Sequence, residues 1–192
     1  QRLLRAFAEV CRAIDYAHAR GVLHRDLKPS NIVLGDFGEV YVLDWGVARV
    51  VGDADDLVDT ADVDTIEGAT PPTHILGTPG YVSPEQLVDP AADRPADVYS
   101  LGAILFEILA GEPLHPRGGD AVASTISEGT VLSPAIRRPD RQVPPELDRL
   151  CLLMLSRLAS ARPTARRCAE LVEEYLDGDR DVARRRIMAH DL

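Results

Sequence analysis

The stretch His24-Arg25-Asp26-Leu27-Lys28-Pro29-Ser30-Asn31 decides how this chain is interpreted, because it places several chemically different groups within eight residues. The Asp26 carboxylate accepts hydrogen bonds, the Lys28 ammonium is a cation with three donors, and the Asn31 amide offers a neutral oxygen. Pro29 turns the backbone between them. A single charged histidine or aspartate is usually a helix cap or a solvated surface group, but this ordered combination indicates a reactive loop.

The residues on either side of this loop predict regular structure. Before it, apolar residues recur at three- and four-residue spacing over residues 2–19, which predicts a helix that ends near Gly21. After it, the β-prone runs 32–34 and 40–43 flank the polar residues 35–38 and predict a short hairpin. The reactive loop is therefore expected between a helix and a small sheet.

The remainder of the chain predicts one long loop and several helices. Residues 50–80 are rich in Asp, Thr and Pro, which predicts a long mobile loop. Residues 98–109 are apolar on several faces and predict a buried central helix that ends at Gly111. Further helices are predicted near residues 120–127, from 145 to 158 and from 163 to 176, with the rest of 112–145 irregular.

Composition limits the kinds of partner. With 21 Lys and Arg residues against 31 Asp and Glu residues, the net charge of −10 argues against binding to nucleic acid or to an anionic membrane. Cys11, Cys151 and Cys168 are widely separated in apolar helical patterns and predict buried free thiols. No apolar run is long enough to span a bilayer. These features favour the cytoplasm, although a parent protein can carry a membrane segment outside this chain.

The reactive loop resembles the catalytic loop of the protein kinases, and two further motifs extend that resemblance. Residues 77–86 (GTPGYVSPEQ) are similar to the end of a kinase activation segment, with Ser-Pro-Glu in place of Ala-Pro-Glu. Residues 97–102 (DVYSLG) are similar to the start of the central kinase helix. The sequence is thus identified as a member of the eukaryotic-like serine/threonine kinases. Residues 35–46 (GDFGEVYVLDWG) look like the corresponding stretch of bacterial members of the family.

The resemblance implies a mainly α, α+β fold, the C-terminal lobe of a protein kinase, in which short β-hairpins carry the catalytic and magnesium loops. It predicts this lobe over residues 1–176 and the start of a charged helical linker over 177–192. A Gly-rich loop and an ATP-binding lysine with its helix glutamate are absent from the sequence. The N-terminal lobe is therefore expected upstream in the parent protein, and the isolated chain is expected to be inactive.

The resemblance also implies the reaction, which is transfer of the γ-phosphoryl group of ATP to Ser or Thr of protein substrates, with Mg²⁺ or Mn²⁺. Asp26 positions the hydroxyl and Lys28 steadies the phosphate. Asn31 and Asp44 hold the metal and the nucleotide. Lys28 together with Thr78 is the family's pattern for Ser/Thr rather than Tyr acceptors.

Two Asp-aromatic-Gly sequences compete for the role of the metal-binding aspartate. In the family this aspartate follows the loop asparagine after a complete hairpin. Asp36 follows Asn31 by only 5 positions, which is too few, whereas Asp44 follows it by 13. Asp36 is therefore predicted in the hairpin turn and Asp44 in the magnesium loop. Trp45 replaces the usual phenylalanine and is expected to pack into the core.

The resemblance assigns structural roles around the loop. Asp97 is expected to be buried and to accept backbone N–H bonds from the loop that contains His24. Arg162 is expected to pair with Glu85, and the pair is expected to be largely buried. The other histidines lack metal-ligand spacing and are expected to be surface or packing residues: His18, His74, His115 and His190.

Arg25 suggests regulation, because in kinases of this type the arginine before the catalytic aspartate receives a phosphorylated residue of the activation loop. Thr73 and Thr70 are the candidate phosphorylation sites. The alternative is that both are solvated loop threonines.

Two other functions are open to this sequence. A pseudokinase-like docking module would be expected to lack one of Asp26, Lys28, Asn31 and Asp44, but all four are present. Small-molecule phosphotransferases with a related core lack the Ser-Pro-Glu and Arg162 platform. An active kinase in bacterial signalling is the favoured hypothesis, with ATP, protein substrates and an N-terminal lobe in cis as partners.

Overall fold

The computed structural model describes residues 1–50, 77–89, 91–118, 120–127 and 132–190, the stretch 180–190 as backbone alone. The loop predicted over residues 50–80 lies mostly outside these ranges, and so do Thr70, Thr73 and His74. Ten helices and strands follow in this order: α1 Arg2–Ala19, β1 Val22–Leu23, β2 Ile32–Leu34, β3 Val40–Val42, β4 Arg49–Val50, α2 Pro95–Ala110, α3 Asp120–Ile126, α4 Pro134–Arg137, α5 Pro145–Met154 and α6 Ala165–His190. The described part is mainly helical, as the sequence predicts, and it contains two small sheets.

Helix α2 is the centre of the described core. Its residues are buried on nearly every side, which agrees with the apolar pattern that predicts it. At Gly102 a Cβ atom would stand 2.9 Å from the Cβ atom of Met154, so only glycine allows α5 to approach α2 this closely. The helix ends at Gly111, which has φ 73° and donates its N–H to the carbonyl of Glu107.

Helix α1 packs its apolar face against α2 and α6. Phe7, Val10 and Ile14 are almost fully buried, at the three- and four-residue spacing that predicts the helix. Cys11 lies on the same face, and all three cysteines are buried and free. Burial raises the pKa of the Cys11 thiol well above its ordinary value. The prediction of buried free thiols is confirmed.

Strands β2 and β3 form the predicted antiparallel hairpin, which pairs Ile32 with Val42 and Leu34 with Val40. The strand β3 ends one residue earlier than predicted. A second pair joins β1 to β4 and was not predicted, because strands of two residues carry no readable alternation. The two pairs hold both ends of the reactive loop: β1 leads into it, and β2 leaves it.

The later helices differ from the sequence prediction in three places. Helix α5 ends at Met154 rather than at Leu158, because Leu155 turns into the core and the N–H of Ser156 bonds the carbonyl of Leu153 in a tighter last turn. The short helix α4 was not predicted. Helix α6 continues without a break to His190, so the boundary between residues 176 and 177 stays a prediction. In the described part of the chain, no helix combines the length and apolar character needed to cross a membrane.

Candidate active site

The backbone of the reactive loop is held by one carboxylate. Asp97, in the first turn of α2, accepts the N–H of His24 at 2.9 Å on Oδ2 and the N–H of Arg25 at 2.8 Å on Oδ1. Its side chain is 2% exposed, and it lies where the N-terminal end of a helix favours negative charge. The structure therefore brings Asp97 to the loop with the geometry that the resemblance implies.

His18 is a further member of this cluster. Its Nε2 atom lies 2.8 Å from Oδ2 of Asp97, and the residue is 6% exposed. His18 was expected to be a surface or packing residue. It is buried, and it also makes a specific polar contact with Asp97. A signal was present, because His18 falls four residues after Ile14 on the buried face of α1. His115 is likewise buried and hydrogen-bonded, to Tyr99 and Ser124.

Three side chains converge on the Asp26 carboxylate, those of Thr78, Lys28 and, at 3.4 Å, Asn31. The Thr78 hydroxyl donates to Oδ1 at 2.6 Å, and the Lys28 ammonium donates to Oδ2 at 2.7 Å. Lys28 also donates to the Thr78 hydroxyl oxygen at 2.7 Å. The side chains of Asp26 and Lys28 are 13% and 23% exposed, so the pair is screened only partly by solvent. The carboxylate thus already accepts a hydrogen bond from one alcohol.

Asn31 and Asp44 both lie at the open end of the hairpin. The carbonyl of Asn31 accepts the N–H of Leu43 at 2.8 Å, so Asp44 follows directly after the residue that faces Asn31. The Asn31 amide nitrogen donates to the Asp26 carbonyl at 2.9 Å. Asp44 is exposed and has a left-handed backbone, with φ 61°. A non-glycine residue in this conformation is strained and is often found at functional sites.

Asp36 lies at the opposite end of the same hairpin. Residues 36–38 form its turn, where Gly38 has φ 97° and the N–H of Gly35 bonds the carbonyl of Glu39 at 2.8 Å. Phe37 is 95% exposed. The prediction that this Asp-Phe-Gly sequence is a turn is confirmed.

Asn31 and Asp44 suit a magnesium ion by their chemistry. Mg²⁺ prefers oxygen ligands and is commonly bound through one or two carboxylates together with substrate phosphates. In the described segments of the chain, no group of three or more His, Cys, Asp or Glu side chains is placed to hold a metal by itself. An amide oxygen and an exposed carboxylate at one end of the hairpin fit an ion that phosphate oxygens help to hold.

Trp45 does not pack into the core as expected. It is 37% exposed, its ring lies 4.6 Å from that of His24, and its indole N–H donates to the carbonyl of Val42 at 3.0 Å. That hydrogen bond turns the ring back along β3, because the indole N–H needs a partner that a phenyl ring does not. His24 itself is fully buried and contacts the Leu43 carbonyl through Nε2 at 3.1 Å.

A second cation, Arg49, lies near enough to Arg25 to affect its pKa. Burial lowers the pKa of Arg25, and the nearby charge of Arg49 lowers it further. The Arg25 Nε–H donates to the carbonyl of Val47 at 2.7 Å, which directs the side chain toward the residues that precede β4. Two guanidinium groups that repel each other favour an anion between them. Arg49 gave no signal in the sequence because its approach depends on the unpredicted β1–β4 pair.

The Glu85–Arg162 pair is formed and is largely buried, more completely on the arginine side than on the glutamate side. The Arg162 side chain has no exposed surface, whereas that of Glu85 keeps 27% exposure. Two parallel hydrogen bonds join them, and Arg162 also donates to the carbonyls of Pro95 and Ser156. Burial acts to raise the pKa of Glu85, but the hydrogen bonds and charge of Arg162 outweigh it and leave that pKa below its ordinary value.

Known proteins resemble this chain over most of its length. A family model for the protein kinase domain matches residues 1–175. The chain is 39% identical over 158 residues to the serine/threonine-protein kinase PknD of Chlamydia pneumoniae, an alignment that covers 80% of this chain and 17% of that protein. It is 34% identical over 183 residues to PknD of Chlamydia caviae, with 91% of this chain and 19% of that protein covered.

The chain therefore spans less than a fifth of the length of these curated relatives. Its match to the family model nevertheless includes the reactive loop, both ends of the hairpin and the whole of helices α1, α2 and α5. The chain belongs to the protein kinase family, among the serine/threonine kinases of bacterial type.

Proposed function

We propose that the protein containing this chain is a serine/threonine protein kinase that transfers the γ-phosphoryl group of ATP to protein hydroxyls in bacterial cytoplasmic signalling. Residues 1–176 would be the C-terminal lobe of its kinase domain, and residues 177–192 would begin a linker. The observation that supports this most is the Asp26 carboxylate, which accepts a hydrogen bond from the Thr78 hydroxyl and is neutralised by Lys28.

Asp26 would act on the acceptor alcohol. A substrate Ser or Thr hydroxyl would donate to the Asp26 carboxylate as Thr78 does, and that contact would aim the oxygen lone pair at the phosphorus atom. As the new P–O bond forms, the bond from the γ-phosphorus to the bridging oxygen of ATP would break and ADP would leave, while Asp26 would hold the proton of the hydroxyl. Lys28, on the other carboxylate oxygen, would place positive charge beside the transferring group.

Asn31 and Asp44 would hold the magnesium ion. Bound with the nucleotide, this ion supplies positive charge that offsets the charge developing on the phosphates. Asn31 would contribute its amide oxygen while its nitrogen stays on the Asp26 carbonyl, so metal binding and the position of Asp26 would be linked through one side chain. The strained backbone of Asp44 would hold its carboxylate at the open end of the hairpin.

Arg25 and Arg49 would receive a phosphate group on the activation loop. Their mutual repulsion is relieved when a phosphate of charge near −2 lies between them. The residues proposed to carry this phosphate are Thr73 and Thr70, both outside the described residues.

The sequence contains no Gly-rich loop and no strand lysine with a helix glutamate. In the family these groups hold the nucleotide phosphates. We therefore propose that an N-terminal lobe completes the ATP site in cis, and that the 192-residue chain alone has negligible activity.

The proposal is tested by Asp26→Asn in the full-length protein. Wild-type protein is expected to incorporate labelled phosphate from γ-labelled ATP into itself and into a Ser/Thr substrate, and the variant is expected to lose roughly a thousandfold or more of that rate. Asp15→Asn is the matched control, because Asp15 lies on α1 and pairs with Arg166 on the surface. If Asp26→Asn incorporated phosphate at the wild-type rate, Asp26 would have no such role. No incorporation by the wild type with each candidate metal would favour the docking-module reading.

A further inference from the structure

Gln86 is a buried amide next to the loop that holds Asp26. It is the last residue of the segment 77–86 and is 6% exposed. Its side-chain nitrogen donates to the carbonyl of Arg25 at 3.3 Å. Buried side-chain amides are almost always hydrogen-bonded, so the partners of the Gln86 amide show what this side chain holds in place.

The Arg25 carbonyl belongs to the peptide unit from which Asp26 projects. A peptide unit is planar, so the direction of the Arg25 carbonyl fixes the direction of the Asp26 N–H. That N–H points to the opposite edge of the peptide plane, where Nδ1 of His24 lies 3.3 Å from the Asp26 nitrogen. Gln86 and His24 therefore hold the two ends of a single peptide plane.

This peptide plane needs such support. Arg25 has a left-handed backbone with φ 65°, which is unfavourable for a residue with a side chain. Asp97 fixes the N–H of Arg25, and Gln86 bonds its carbonyl. Gly77 packs so close that a Cβ atom there would stand 2.9 Å from the same carbonyl oxygen.

The other atoms of Gln86 tie it to its own segment. Its side-chain oxygen accepts the N–H and the hydroxyl of Ser83 at 3.2 and 3.1 Å, and its backbone N–H bonds the Ser83 hydroxyl at 3.3 Å. The neighbouring Glu85 is fixed by Arg162. Gln86 is therefore held by an anchored segment, and its side-chain amide nitrogen faces the loop.

We propose that Gln86 is a positioning residue for Asp26, which transmits the position of the segment 77–86 to the catalytic loop through the Arg25 carbonyl. The same segment contacts the Asp26 carboxylate through Thr78. Asp26 is thus held at its backbone and at its side chain by one segment. Displacement of this segment releases both contacts together, so the position of the segment determines whether the Asp26 backbone and carboxylate are held in place.

The test compares two variants that break different parts of this arrangement, and it rests on the proposed kinase function. Gln86→Glu keeps an oxygen for Ser83 but has no donor for the Arg25 carbonyl when ionised. Ser83→Ala removes the local hydroxyl contacts and leaves the Gln86 amide on Arg25. In the full-length protein near pH 8, kcat of Gln86→Glu is expected to fall by about tenfold or more, with KM for ATP and for a substrate peptide within about twofold of wild type. Ser83→Ala is expected to keep kcat within about twofold.

Gln86→Met serves as a second variant of similar length and without charge, in case the carboxylate prevents folding. A kcat near the wild-type value in the folded Gln86 variants would overturn the proposal. An equal loss of kcat in Ser83→Ala would also overturn it, because the local structure of the segment would then suffice as the explanation.

Hydrogen exchange gives a readout that does not need activity. The amide of Asp26 is expected to exchange at least about tenfold faster in Gln86→Met than in Ser83→Ala, because only the former frees the Arg25–Asp26 peptide plane. Equal exchange rates would contradict the positioning role. If the wild type itself proved inactive, the proposed function would fail while this comparison still decided the role of Gln86.

Discussion

Asp36-Phe37-Gly38 and Asp44-Trp45-Gly46 are nearly the same tripeptide, and they lie at opposite ends of one hairpin. At the turn end, the hydrogen bonds run between neighbours in the turn, and Phe37 is 95% exposed. At the open end, Asp44 adjoins Asn31, and Trp45 lies against His24. The position of the tripeptide in the hairpin, rather than its amino-acid sequence, therefore decides which residues lie near its aspartate.

The open end differs from the turn end in being braced from elsewhere in the fold. Asp97 from α2 holds the backbone of the loop, and Thr78 from the segment 77–86 holds the Asp26 carboxylate. Changes at the two ends should therefore have unequal effects, which can be measured as stability and as activity.

The largest expected effect on stability is that of Asp97→Ala. It leaves two buried backbone N–H groups and His18 without their carboxylate, which should cost about 3–5 kcal/mol of the free energy of unfolding. Phe37→Ser at the exposed turn is the control and should change that free energy by no more than about 0.5 kcal/mol. Urea unfolding followed by circular dichroism measures both, and equal effects would contradict the bracing of the open end.

The sequence predicted the framework of this site well, for physical reasons. Helices α1 and α2 have long apolar patterns, and the spacing from Asn31 to Asp44 leaves room for a hairpin that Asp36 does not allow. The contacts that brace the site were harder to predict. The β1–β4 pair joins two-residue strands far apart in sequence, and it brings Arg49 toward Arg25.

Single polar residues were the least predictable part. His18 and Gln86 stand alone in the sequence, and their roles depend on partners that only the folded chain brings near. The prediction that Trp45 lies in the core was wrong. It was based on the size and hydrophobicity of the side chain and did not consider the indole N–H, which donates to the carbonyl of Val42.

A smaller effect is expected from Thr78→Val. The change removes a hydroxyl that joins Asp26 and Lys28, a hydrogen bond to a charged group that is worth about 1.5–3 kcal/mol, so kcat should fall by roughly ten- to a hundredfold. Steady-state kinetics of the full-length protein measure it. Glu39→Ala at the turn end removes the carboxylate that accepts the Phe37 N–H and should leave kcat unchanged. An unchanged kcat in Thr78→Val would show that Asp26 does not need this contact.

The smallest expected effect is a gain in stability. Among the described non-glycine residues, positive φ occurs at Asp44 but not at Asp36. Asp44→Gly should relieve left-handed strain and raise the free energy of unfolding by about 0.5–1 kcal/mol, while activity is lost. Asp36→Gly should lower it slightly, since glycine gains only unfolded-state entropy there. Thermal unfolding of the two variants decides, and a loss of stability in Asp44→Gly would argue against strain at this site.

The most direct test of the central claim compares Asp44→Asn with Asp36→Asn in the full-length protein. The two substitutions are chemically identical and fall at the two ends of one hairpin. The measured quantity is the rate of phosphate incorporation from labelled ATP with magnesium. A loss of about a hundredfold or more is expected for Asp44→Asn, because the proposed metal ligand loses its charge, and a rate within about twofold of wild type is expected for Asp36→Asn. Loss of activity in Asp36→Asn with retention in Asp44→Asn would contradict the placement of the magnesium site at the open end of the hairpin.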